Sequence, residues 1–170
     1  MTDAAQTGFV DPTKLSFAQF GELGRSGPVH MLNLVKFRKQ AIGEDDTIAS
    51  GAEACNSHAR ESGPVFQRLG GRQDWVGTPE LMLIGPESEV WDLAFIAEYP
   101  DKDAFVAMVR EPDYRKVVRH RRVAVADSHL IRMDPGVPGA HFSMMCSMRA
   151  EGEPVSLLNE SRRAASFLQA

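Results

Sequence analysis

The chain has 170 residues, 43% of them hydrophobic and 25% charged, the make-up of an ordinary globular protein and of a length that fits one domain. A net charge of -4 gives no global attraction for phosphate backbones or anionic lipid, so nucleic acid and membrane are not expected partners. Two cysteines, no basic-then-apolar leader in the first 20 residues and no apolar run of about 20 residues point to a reduced, cytoplasmic setting.

In chain order, Asp11-Pro12 opens the first structured stretch, with Ser16 and Gln19 at capping-box spacing and Leu15 and Phe20 placed as a hydrophobic staple. A short helix is expected through Leu23, closed by Gly24 and Gly27-Pro28. Val29 to Arg38 is a near-continuous apolar run and reads as a central strand. Lys39 to Thr47 reads as loop. Ala49 to Leu69 is helical in pattern, with a break or kink expected at Gly63-Pro64 and a stop at Gly70-Gly71. Gln73 to Ile84 reads as a second strand, bulged or at an edge because of Gly77 and Pro79. Val90 to Tyr99 is a third strand. Helices follow from Pro100-Asp101 and from Asp113 to about Val125, separated by Glu111-Pro112, and His129 to Met133 is a fourth strand.

The order from 28 to 134 is therefore β-α-β-β-α-β, the ferredoxin-like order, with an antiparallel sheet and helices on one face. Strands this apolar require cover on the other face too, and a second copy of the chain is the simplest cover, so a homodimer is expected. Residues 1–139 form the expected α+β domain with its N-terminal helix. Residues 140–170 form an extension, with Phe142, Met144, Cys146 and Met148 at strand spacing and a helical pattern from Val155 to Leu168.

The segments PVHMLNLVKFR, SGAEA, SGPVFQRLGGR, WDLAFIAEYPDKDAFVAMVREPDY and HRRVAVADSHLI resemble the family called domain of unknown function thirteen-thirty, from about Asp11 to Met133. The resemblance implies a ferredoxin-like subunit of the dimeric α/β-barrel superfamily. That superfamily includes cofactor-free monooxygenases, isomerases, cyclases and haem-dependent enzymes. Cys55 and His58 stand where the family tends to carry tyrosines, which would leave a smaller pocket holding an imidazole.

Six residues carry candidate chemistry. Arg121 falls on one helical stripe with Tyr114, Val117, Val118 and Val125, and a guanidinium there needs a partner. That partner is either an internal carboxylate (Asp92, Glu98 or Asp127) or the anionic group of a ligand. Asn33 interrupts an apolar strand, either to satisfy backbone or to polarise a carbonyl or enolate. His58 and His120 are the candidate acid-base groups, against the plainer reading of surface or satisfied core histidines. Trp75, Trp91 and Tyr99 supply flat apolar surface, either core or dimer interface or a wall against an aromatic ligand. Alternation places Trp91 on the face of Leu93, Phe95 and Tyr99, and Tyr114 is expected to line the pocket as a substrate-binding residue. Histidine and cysteine spacings match no metal motif, and no P-loop, G-x-S-x-G or G-x-G-x-x-G occurs. The basic run from Arg115 to Arg122 lies in an acidic chain and matches no nucleic-acid-binding motif. The expectation is a small-molecule-binding protein acting without a tightly bound cofactor, by isomerisation, dehydration, cyclisation or oxygenation of a small anionic or aromatic metabolite. A non-catalytic, stress-related binding protein with the same pocket is the alternative.

Overall fold

A computed structural model describes residues 8–24, 26–43 and 47–136. Four antiparallel strands make the main sheet: β1 (Val29–Phe37), β4 (Arg72–Gly77), β5 (Leu93–Tyr99) and β6 (Val125–Met133), in the spatial order β4-β5-β1-β6. A two-stranded ribbon, β2 (Ala41–Ile42) with β3 (Ile48–Ala49), occupies part of the stretch read as loop. The helices are α1 (Lys14–Glu22), α2 (Gly51–Arg68), α3 (Lys102–Arg110) and α4 (Pro112–Ala124). This is the ferredoxin-like α+β fold. The extension at 140–170 lies outside the described residues.

The register sorts side chains to two faces. Val29, Met31, Asn33 and Val35 pair with Tyr99, Ala97, Phe95 and Leu93. Val29, Met31, Ala97 and Tyr99 are buried in one cluster with Val65 of α2 and Met108 of α3, and Phe20 of α1 packs on it. A second cluster joins Val35, Ala41, Ala54, Ala124 and Val125. Helices and core therefore share the face of the odd-numbered β1 residues. His30, Leu32, Leu34 and Lys36 point the other way, opposite Met133, Ile131, His129 and Asp127 of β6.

Local chemistry explains the boundaries, and several differ from the sequence reading. Thr13, rather than Ser16, caps α1: its hydroxyl accepts from the Ser16 backbone N–H at 3.0 Å. In α2 the capping box is complete between Ser50 and Glu53. That helix runs unbroken through Pro64, because Pro64 and Arg60 both face solvent and water can satisfy the carbonyl that proline leaves without a donor. The left-handed Gly70 (φ 78°) then ends it. Strand β4 stops at Gly77 rather than Ile84. It is an edge strand with a register shift between Gln73 and Trp75, and Pro79 cannot extend its ladder. Strand β6 starts at Val125, four residues before the expected His129, directly at the end of α4.

Gly51 is where three elements meet. Its N–H donates to the Arg38 carbonyl at 3.0 Å, and the Arg38 N–H donates to the Ala124 carbonyl at 2.8 Å. A Cβ at Gly51 would lie 2.4 Å from the Arg38 carbonyl oxygen and 2.6 Å from that of Ala124. Both are backbone atoms and cannot swing aside. Gly51→Ala is expected to destabilise the protein by about 2 kcal/mol through forced separation of β1, α2 and α4. Urea unfolding should show a lower midpoint with an unchanged slope, and an unaltered midpoint would contradict this account.

Candidate functional site

The chemistry-bearing side chains gather where α2 and α4 pack together above the sheet. The spacing of Cys55, His58 and Ser62 turns one stripe of α2 inward, and Tyr114, Val117 and Arg121 do the same from α4. His58 Nδ1 lies 3.2 Å from the Val117 carbonyl. A carbonyl only accepts, so Nδ1 carries the proton and Nε2 keeps its lone pair. The Tyr114 ring meets the His58 ring edge-on at 5.7 Å between centroids. His120 Nε2 stands 3.5 Å from Glu61 Oε2 on the neighbouring turn of α2.

Electrostatics at this junction favour neutral forms. Burial pushes the His58 imidazole below its ordinary pKa, and Arg121 and His120 nearby add to that, against the Val117 hydrogen bond and Glu61. Burial raises the Cys55 thiol, with Arg121 pulling the other way. The Tyr114 hydroxyl is likewise raised by burial and partly offset by Arg121. Around neutral pH the cluster presents a neutral imidazole, a protonated phenol and a thiol beside one guanidinium.

That guanidinium is held by the chain's own N-terminal segment. Arg121 Nη1 donates to the Val10 carbonyl, and Nη2 donates to Ser128 Oγ at 3.1 Å. Ser128 Oγ passes its own hydrogen to the Phe9 carbonyl at 2.7 Å, while Asp127 Oδ1 accepts from the Phe9 N–H at 2.8 Å. Arg122 adds an ion pair to Asp11 at 2.9 Å. The partners of Arg121 seen here are thus a carbonyl and a hydroxyl rather than the carboxylates anticipated from sequence. Phe9, Val10 and Ser128 were missed because they lie 111 to 119 residues from the groups they bind, or, for Ser128, on a segment not read as strand.

The remaining candidates lie elsewhere. Asn33 Nδ2 donates to the Met31 carbonyl on its own strand at 2.9 Å, so its amide satisfies local backbone. The Trp91 ring packs on that of His129 at 4.7 Å between centroids and a 58° tilt, and His129 pairs with Leu34 on the face away from the helices. The sheet therefore separates Trp91 from His58, Tyr114 and Arg121. Alternation failed there because Asp92 resets the chain before β5: its N–H donates to the Val35 carbonyl and its carboxylate accepts from the Phe37 N–H. Trp91 is buried, and its indole N–H has no partner among the described residues.

On that same face His30 is bracketed by Glu98 at 3.2 Å and Asp74 at 4.0 Å, with their ligand atoms within 4.8 Å of one another. No sequence motif could reveal this set, since three strands contribute to it. Arg72 reaches both carboxylates, and its hydrogen bond holds Glu98 below the usual carboxylate pKa. The group is therefore a charge-compensated network.

The fold and the α2–α4 junction define a ferredoxin-like α+β protein with a half-buried imidazole–phenol pair near an arginine. No protein-family model and no curated protein matches the chain. Among solved structures, the RPA0582 protein of unknown function from Rhodopseudomonas palustris is 57% identical, with a TM-score of 0.74, over 78% of this chain and 100% of that one. Its methylated form gives 56% identity, a TM-score of 0.75 and coverage of 78% and 98%. The chain belongs to the family of that protein. A dimeric protein of ferredoxin-like fold and unknown function from Bacteroides fragilis aligns at 15% identity and a TM-score of 0.44, over 64% of this chain and 96% of its own. No described helix is long and apolar enough to cross a membrane.

Two outcomes are expected. Arg121→Met keeps the stem's packing but strips donors from Val10 and Ser128, and should cost roughly 2–3 kcal/mol. Hydrogen exchange at the Phe9 amide should accelerate in the same variant, and protection equal to wild type would contradict the anchoring role. The second outcome concerns acid. The folded pKa of His58 lies below its unfolded value of about 6.5, so its contribution to stability is complete above that pH. That contribution is lost as pH falls through the depressed folded value. His58→Gln should flatten this part of the acid-side slope in urea unfolding between pH 7.5 and 5, and an unchanged slope would refute it.

Proposed function

We propose that this protein is a cofactor-independent acid–base catalyst acting on a small anionic or aromatic metabolite, with His58 as the proton-transfer group. The observation that carries the reading is the neutral, tautomer-fixed imidazole of His58, with its Nε2 lone pair free of the Val117 contact and an arginine nearby. A base of this kind accepts a proton from a C–H or O–H acid, and the field of Arg121 favours the resulting enolate or phenolate. The Tyr114 hydroxyl can hydrogen-bond that anion. In an isomerisation the imidazolium returns the same proton to another carbon, so nothing is consumed. His120 with Glu61 is a second proton relay at the rim. Arg121 acts here through its potential and by holding residues 8–11, more than as a direct clamp.

We further propose that the family is the one called domain of unknown function thirteen-thirty, and that the working unit is a homodimer closed through the sheet face away from the helices. Half-exposed Trp75 and Ile131 on that face support this. A non-catalytic binding role for the same cluster is supported by Arg121 and Asn33 both using donors on the protein itself.

The test is deuterium incorporation from D2O into a panel of small enolisable aromatic ketones and diketones, followed by NMR. Turnover should rise with pH through the depressed His58 pKa, and His58→Gln should lower it by about 10²–10⁴-fold while the fold persists. Binding of panel members without exchange would favour the binding role. Exchange undiminished in His58→Gln would remove His58 as the base.

A further inference from the structure

Between Gly77, where β4 ends, and Trp91, the chain places its most exposed apolar residues together. Leu81 is 77%, Leu83 86% and Ile84 94% exposed, and Met82 and Val90 are also open to solvent. The segment leaves an edge strand that pairs only with β5 in the sheet order. It turns back at Gly85, whose φ of 147° suits glycine, and Glu89 N–H closes the return on the Pro86 carbonyl at 3.0 Å. Its sequence has strand character, yet Leu81, Leu83 and Ile84 stand mostly in solvent.

Together with Trp75, these side chains offer on the order of 700 Å2, more than the largest apolar patch of a typical monomer and about what each partner gives to a standard interface. The flanking charge selects the occupant. Residues 78–90 hold Glu80, Glu87 and Glu89 and no lysine or arginine, which disfavours anionic lipid and nucleic acid. The chain also offers the sheet face away from the described helices, where Leu32, Leu34, Ile96 and Ile131 lie and Ile131 is 46% exposed. Seven extended residues reach roughly 20 Å, enough to cross a four-stranded sheet whose strands lie about 4.8 Å apart.

We propose that residues 78–90 form a dimerisation arm whose partner is a second copy of this chain, each arm gripping the other subunit's sheet face that lies away from the described helices. The inference rests on the homodimer reading above and deepens it by naming the grip. A two-fold arrangement makes the contact twice, so each arm residue counts double.

Sedimentation velocity of the full chain from 0.1 to 100 μM, a range chosen to span about nanomolar-to-micromolar affinity, tests it with two variants. The wild type is expected to be a dimer. L83D/I84D alters only exposed positions, and should be monomeric, with a dissociation constant raised by about 100-fold or more and an unchanged far-ultraviolet spectrum. L81S/L83S should weaken the dimer likewise, which tests the arm should added charge disturb folding. If L83D/I84D stays dimeric while I131D dissociates, the face reading stands and the arm is overturned. A monomeric wild type overturns both. Leu83- and Ile84-dependent sedimentation of the wild type with phosphatidylcholine vesicles would assign the arm to a membrane and also overturn the proposal.

Discussion

The guanidinium of Arg121 is the constraint around which this molecule is arranged. It sits on the inward stripe of α4, where an unpartnered cation would cost several kcal/mol. The chain meets that cost by bringing residues 8–11 back across more than a hundred positions of sequence to supply the Val10 carbonyl, with Ser128 as the second acceptor. One charge thereby fixes the N-terminal segment against the start of β6. Gly8 fits this arrangement because a Cβ there would fall within 2.0 Å of the Ala126 carbonyl oxygen. The same charge biases Cys55, His58 and Tyr114, all of which feel it.

The candidate site follows from that charge and from helix packing. Burial alone would make His58 a weaker base, and Arg121 adds to the effect, so the imidazole is neutral where an exposed histidine would titrate. The Val117 carbonyl selects the tautomer. A positive potential that no carboxylate among the described residues neutralises by direct contact favours a ligand that becomes anionic during reaction over one that is cationic throughout. The fold supplies the frame, and Gly51, Arg38 and Ala124 lock the helix bearing His58 to the sheet.

Much of the frame is legible in the residues. Val29 to Arg38 reads as a central strand and the structure forms it over Val29–Phe37, and Glu111-Pro112 divides α3 from α4 as proline at a helix start does. The start of β6 was hidden because Val125 continues the α4 stripe and no glycine or proline separates helix from strand. Strand β4 was overextended because Leu81 to Ile84 have strand composition, while the ladder is decided by Pro79 and by an edge with no neighbour. For the site, the stripe of Tyr114, Val117 and Arg121 is legible as helical periodicity, while His58 stands out only as an imidazole on the expected α2 helix. Trp91 was misplaced because one polar residue, Asp92, interrupts the alternation. The partners of Arg121 and the network of His30, Asp74, Glu98 and Arg72 depend on strand register and chain return, which no local pattern encodes.

The state of the His58 ring decides whether Arg121 and Val117 together set a neutral base. Long-range nitrogen–proton NMR of uniformly labelled protein, titrated from pH 8 to 4.5 (about two units either side of the ordinary histidine pKa), reads both the tautomer and the pKa of His58. We expect the Nδ1–H tautomer and a midpoint below the ordinary histidine range, moving upward in Arg121→Met. An Nε2–H tautomer, or an ordinary midpoint indifferent to Arg121, would contradict the claim that Arg121 and Val117 set His58 as a neutral base.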